Sequence, residues 1–190
     1  MECADGAEVA ATYAALRAVA DRFGALDIVP AARTVLLDGL DDVAVAESLL
    51  AGLVPGPSAG PRAEGPLVEI PVVYDGPDLT EVAEQWSVDV EEVVRTHQGT
   101  EFVVAFCGFA PGFGYCTGLP AGRQVRRRSE PRSRVPAGAV GLAGPYTCVY
   151  PTASPGGWQL IGTATTPVWR PELDRPALLE PGTRVRFVGA

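Results

Sequence analysis

Residues 102–120 constrain the chain more than any other stretch: Phe-Val-Val-Ala-Phe-Cys-Gly-Phe-Ala-Pro-Gly-Phe-Gly-Tyr-Cys-Thr-Gly-Leu-Pro. The run from Phe102 to Phe106 is aromatic and β-branched, the pattern of a strand buried on both faces. It then breaks into Gly108, Pro111, Gly112, Gly114 and Gly118, with Phe109, Phe113 and Tyr115 set between them. Glycine permits positive φ and close backbone approach, and proline fixes φ. A turn of this kind either packs as a stiff loop or holds rings as a rigid apolar wall beside exposed backbone N–H groups.

A second Gly/Pro-rich stretch, 131–162, contains Tyr150-Pro-Thr-Ala-Ser-Pro-Gly-Gly-Trp-Gln159. Its Gly-Gly turn with Trp158 and Gln159 offers backbone donors, a flat apolar face and a neutral amide within a few residues. A tryptophan here is ordinarily core, whereas a buried glutamine amide must find partners. Arg132 and Arg134 alternate on an extended segment, which directs both guanidiniums to one side. Two such forks suit a carboxylate or phosphate, but the bare pattern favours a solvated charged edge, and the arginine run at 126–128 fits that simpler reading. His97 is the only histidine, and it falls at the last turn of a predicted helix, where a cation is favoured.

Together the two motifs resemble the signature of the allophanate hydrolase subunit 1 and Kip-type inhibitor family, which includes the B subunit of 5-oxoprolinase and the carboxyltransferase subdomain C and D. The resemblance is dense over 67–190 and looser before. It implies an α+β architecture: a small N-terminal α/β domain, ferredoxin-like and lacking its first strand, followed by a cyclophilin-like β-barrel. It implies ATP-dependent ring opening of 5-oxoproline to glutamate, carried out with two further chains. One is a C subunit of the Kip-type antagonist (allophanate hydrolase subunit 2) family, the other an A subunit. Two other roles lie within the resemblance: inhibition of a sensor histidine kinase, and half of a urea carboxylase carboxyltransferase. On this basis Arg132, Gln159 and His97 are the expected catalytic residues. The expected substrate contacts are Phe109, Pro111, Gly112, Phe113, Tyr115, Arg134, Pro136, Tyr150, Pro155, Gly156, Gly157 and Trp158. Backbone N–H groups near Gly112 and Gly157 are expected to stabilise charge on the lactam oxygen. The chain departs from the family where Ala139, Tyr146, Cys148 and Thr163 stand in place of its usual serine, glutamine, glycine and arginine.

Composition narrows the chemistry further. All 15 basic residues are arginine, so no P-loop lysine or Schiff-base lysine exists in this chain, and any ATP is shared with partner subunits. A net charge of −8 argues against general nucleic-acid or anionic-membrane binding. Cys3, Cys107, Cys116 and Cys148 form no C-x-x-C pair, and with one histidine they make no zinc set; no metal site is expected. Free thiols and the lack of a signal peptide point to the cytoplasm.

Along the chain, Asp5-Gly-Ala-Glu8 predicts a capping box, with helices to follow at about 9–23 and 42–53 and short strands at 25–29 and 34–37 between them. The helix stands first with no strand before it. Residues 54–66 predict a linker, setting domains at 1–60 and 67–190. Asp78-Leu-Thr-Glu81 and Asp89-Val-Glu-Glu92 predict two more capping boxes, on helices within 78–97 that suit either domain. A strand interrupted by Pro71 is predicted at 67–74, and further strands at about 102–109, 139–143, 147–150, 158–163 and 183–188, the pattern of a small barrel or sandwich.

Overall fold

The computed structural model describes residues 1–53 and 65–190. The linker predicted at 54–66 lies, apart from Gly65 and Pro66, outside the described residues. The chain divides into two compact units, Met1–Arg62 and Ala63–Ala190.

In the first unit the order is α1 (Gly6–Ala18), β1 (Asp27–Pro30), β2 (Val35–Asp38) and α2 (Val43–Ala51). Side-chain caps set both helix starts, the first of them read from the sequence. Asp5 Oδ1 accepts from the Ala7 and Glu8 N–H groups, Glu8 reaches back to the Ala4 N–H at 2.6 Å, and Asp42 accepts from the Val45 N–H. Strands β1 and β2 pair antiparallel. Residues 1–3 run beside β2 through the Val35 N–H to Met1 carbonyl and Cys3 N–H to Arg33 carbonyl bonds. Val9, Leu16, Phe23, Ile28, Val35 and Ala46 fill this unit's own core.

The second unit is a closed barrel. Its strands are β3 (Leu67–Val73), β4 (Glu101–Cys107), β5 (Gly114–Thr117), β7 (Ala139–Ala143), β8 (Tyr146–Val149), β10 (Gln159–Ala164) and β11 (Arg184–Gly189), in the order β10-β3-β11-β4-β5-β8-β7. Among these strands only the β11–β3 pair is parallel. Two further short strands, β6 (Arg132–Val135) and β9 (Ser154–Gly156), form a separate ribbon. Helices α3 (Leu79–Trp86) and α4 (Val90–Gly99) belong to this unit: Val82, Ala83, Trp86 and Val93 pack into the barrel core with Ile70, Phe102, Ile161 and Phe187.

Three expectations are corrected. Pro71 does not interrupt β3: its carbonyl accepts from the Thr165 N–H, and the β10 ladder reaches only Val72 and Val73, so the N–H that proline lacks is not missed there. Asp78 does not cap α3; its side chain turns inward instead. Asp89 does cap α4, through the Glu92 N–H at 2.7 Å, but the Glu92 side chain binds Arg95 rather than reaching back.

Candidate functional site

The β4–β5 turn places the rings of the first motif. Phe109 adopts φ 69°, a left-handed conformation that costs a side-chain-bearing residue roughly 1–2 kcal/mol, and keeps its ring 61% exposed. Strain and exposure of a large ring both oppose ordinary folding preference. The Phe109 ring stands edge-on to Phe113 at 5.2 Å; Phe113 meets Tyr150 and Trp158 edge-on at 5.2 and 5.6 Å. Beneath, Val135, Ala139, Cys148 and Leu160 make an apolar floor distinct from the main barrel core.

These rings surround a hollow of about 110 Å³ lined by Phe109, Phe113, Tyr115, Arg127, Tyr150, Pro155, Gly156, Gly157 and Trp158. The two motifs therefore converge. Glycine is required at Gly156 because a Cβ there would overlap the Tyr150 hydroxyl. A larger hollow of about 350 Å³, lined by Pro66, Val68 and residues between Thr166 and Thr183, contains no motif residue.

Other expected residues lie elsewhere. Gly112 (φ 79°) packs against Trp169 and is not among the residues lining the hollow. Pro111, Arg134 and Pro136 are exposed and outside the lining. The β6–β9 ladder is irregular between Arg132 and Val135, which breaks the alternation expected to bring Arg134 beside Arg132.

Arg132 and Gln159 serve a buried polar cluster behind the ribbon. Asp78, with its side chain only 5% exposed, accepts from Arg132 Nη2 at 2.8 Å, Arg128 Nη1 at 3.1 Å and the Leu160 N–H at 2.7 Å. Gln159 donates its Nε2 to the Arg126 carbonyl at 3.2 Å. Arg132 is thus paired with an internal carboxylate and Gln159 with the backbone of segment 125–132, while Arg132 Nη1 and Gln159 Oε1 stay buried without a partner among the described residues.

His97 is corrected from a helix-end cation to a core residue. It is fully buried between Phe102 and Phe187. The Thr147 hydroxyl donates to the Gly141 carbonyl, so His97 Nε2 donates to Thr147 Oγ1 (2.9 Å) and Nδ1 accepts from the Tyr74 hydroxyl (2.8 Å). That chain requires a neutral ring, and burial holds the imidazole pKa down at about 3. Burial likewise pushes the Cys107 thiol up to about 11 and raises Cys116 and Cys148, so none supplies a thiolate at neutral pH. Among the described residues no group of three or more His, Cys, Asp or Glu is placed to hold a metal, and no helix is long and apolar enough to cross a membrane.

Sequence reasoning missed Arg127, taken with its neighbours as a solvated charge run. Its guanidinium lies over Trp158, 5.9 Å from the ring centre. It also missed Asp78 as a hub. A capping-box pattern and an inward carboxylate look the same in sequence; two arginines fifty residues downstream are a weak signal for the second.

Residues 1–179 match the family model "Carboxyltransferase domain, subdomain C and D". The chain is 51% identical over 128 residues to the 5-oxoprolinase B subunit of Escherichia coli O157:H7, covering 66% of this chain and 59% of that protein. It is 47% identical over 125 residues to the 5-oxoprolinase B subunit of Bacillus subtilis (strain 168), covering 64% and 52%. The match thus spans little more than half the length of these relatives. The crystal structure of TTHA0988 superposes with a TM-score of 0.78 at 38% identity, covering 97% of this chain and 36% of that one. With its barrel, its two convergent Gly/Pro motifs and a family match that runs through nearly its whole length, the chain belongs to the carboxyltransferase domain subdomain C and D family.

Proposed function

We propose that this chain acts as the B subunit of an ATP-dependent 5-oxoprolinase. It opens 5-oxoproline to glutamate only in company with a C subunit of the allophanate hydrolase subunit 2 type and an A subunit. The observation that carries this reading is the aromatic hollow: residues from both motifs, about forty positions apart, meet around a space of about 110 Å³. Pockets for drug-sized ligands run from about 300 Å³ upward, so this one suits a small ring and excludes a nucleotide. ATP, for which this chain has no P-loop lysine, is assigned to the partner subunits, in the cytoplasm.

Nothing lining the hollow is a nucleophile paired with a base. The lining supplies binding: rings for a flat lactam, and the backbone at Gly156 and Gly157 close to it. That is the equipment of a chain whose site is finished by another polypeptide. The relatives named as 5-oxoprolinase B subunits support the substrate.

The test is co-expression with the genomic neighbours and assay of the purified complex for 5-oxoproline-dependent ATP hydrolysis. Release of phosphate only when 5-oxoproline is present supports the reading; stimulation by urea and bicarbonate instead would assign the chain to carboxyl transfer, the activity its family description names.

A further inference from the structure

The geometry points to Arg127 as the residue that selects the ligand of the aromatic hollow, by binding the carboxylate of a small monoanion whose flat body lies against Trp158. This rests on the proposed function, and names the feature of the substrate that this chain recognises.

Arg127 has no hydrogen bond or ion pair with any described residue, in a protein whose net charge is −8. Its guanidinium lies over the Trp158 ring. No carboxylate lines the hollow, so the positive charge at its rim is not offset from within. A guanidinium offers a planar fork that pairs with a carboxylate through two parallel bonds.

The residue is also held in place. On one side the Arg126 N–H donates to Gln85 Oε1 at 2.8 Å, and the Arg126 carbonyl accepts from Gln159. On the other, the Arg128 N–H donates to the Gly157 carbonyl at 2.8 Å and the Arg128 side chain is fixed on Asp78. The backbone of segment 125–132 is fastened on both sides of Arg127 while its own side chain stays free. With the backbone anchored before the ligand arrives, only the Arg127 side chain is left to be ordered on binding. The buried cluster of Asp78, Arg128 and Gln159 thus positions Arg127 without touching the ligand.

The test uses wild type, Arg127→Gln and Arg127→Lys, in the reconstituted complex and as the full chain. Because the Arg127 side chain is exposed and its one contact in the fold is with the Trp158 ring, both variants should fold and lose no more than about 1 kcal/mol of stability, a factor of about five in the unfolding equilibrium. In the complex, Arg127→Gln should raise KM for 5-oxoproline about tenfold to a hundredfold with kcat little changed, and Arg127→Lys should recover part of the loss. An unchanged KM in an active complex overturns the assignment while leaving the proposed function standing. If the complex does not act on 5-oxoproline, that function falls, and tryptophan-fluorescence titration of the full chain judges Arg127 alone. The probes are 5-oxoproline, propionate, neutral 2-pyrrolidinone and inorganic phosphate. Carboxylates should bind wild type at least about tenfold more tightly than 2-pyrrolidinone, and Arg127→Gln should erase the preference. Equal binding of the neutral lactam, tighter binding of phosphate, or no charge-dependent binding of any probe overturns the proposal.

Discussion

Replacing Asp78 by asparagine should loosen the strap that carries Arg127 and destabilise the barrel unit by about 2–3 kcal/mol. Removing one partner of a fully buried ion pair costs about 3–5 kcal/mol, because the other charge stays buried. Here Asp78 is buried, but the Arg128 and Arg132 side chains keep 35% and 23% exposure, so water takes up part of the lost interaction and the figure is discounted. Asparagine also has one acceptor oxygen where the carboxylate has two. If Oδ1 keeps the arginines, the amide nitrogen is turned on the Leu160 N–H, donor against donor. Urea unfolding followed by tryptophan fluorescence reads the right unit, since Trp86, Trp158 and Trp169 all lie within it. Asp75→Asn, which alters an exposed side chain bonded only to Thr163, is the control and should change stability by less than about 0.5 kcal/mol. In a double-mutant cycle with Arg132→Gln, the combined loss should fall short of the sum by about 1 kcal/mol or more. A loss in Asp78→Asn no larger than the control, or strict additivity in the cycle, would refute the reasoning that this carboxylate anchors the strap.

Three other outcomes follow from single residues. His97 is neutral in the fold with a pKa near 3 and titrates near 6.5 when unfolded, so the unfolded chain binds the extra proton between those values and stability falls as pH drops below 6.5; at pH 5 the loss relative to pH 8 is about 2 kcal/mol, and it should vanish in His97→Gln, read as the slope of the urea midpoint against pH. Phe109→Gly should be neutral or stabilising by up to about 1 kcal/mol, because it relieves a left-handed φ and removes an exposed ring, yet it should weaken ligand binding in the same preparation. Gly156→Ala should cost about 1–3 kcal/mol and abolish ligand-induced fluorescence change, since the added methyl meets the buried Tyr150 hydroxyl and closes the hollow.

Five barrel strands, β4, β7, β8, β10 and β11, lie within about two residues of their predicted places; β7, β8 and β10 are buried almost continuously, whereas β4, expected to be buried on both faces, and β11 bury alternate residues. Strands β5 and β9 were not, for a physical reason. Gly114–Thr117 and Ser154–Gly156 are short and rich in glycine, proline and tyrosine, so their composition says turn, and only the neighbouring strands make them extended. The assignment of α3 and α4 to the barrel was equally invisible: an amphipathic helix states which of its faces is buried, not against what.

Within the candidate site, neighbouring residues of each motif divide between two roles. Trp158 and Gln159 are adjacent on entering β10; the ring faces the hollow and the amide faces the Asp78 side. Arg127 and Arg128 are adjacent on the strap, and they divide between the same two sides, one over Trp158 and one on Asp78. Successive side chains of extended backbone leave opposite faces, so a motif read as one cluster of useful residues is in fact two interleaved sets. One set meets the ligand space and the other fastens the backbone that holds it. Arg132 and Gln159 fall in the fastening set, which makes their absence from the lining compatible with strong effects on activity: a substitution there should act through the position of Arg127 and Gly157 rather than through a lost contact with substrate.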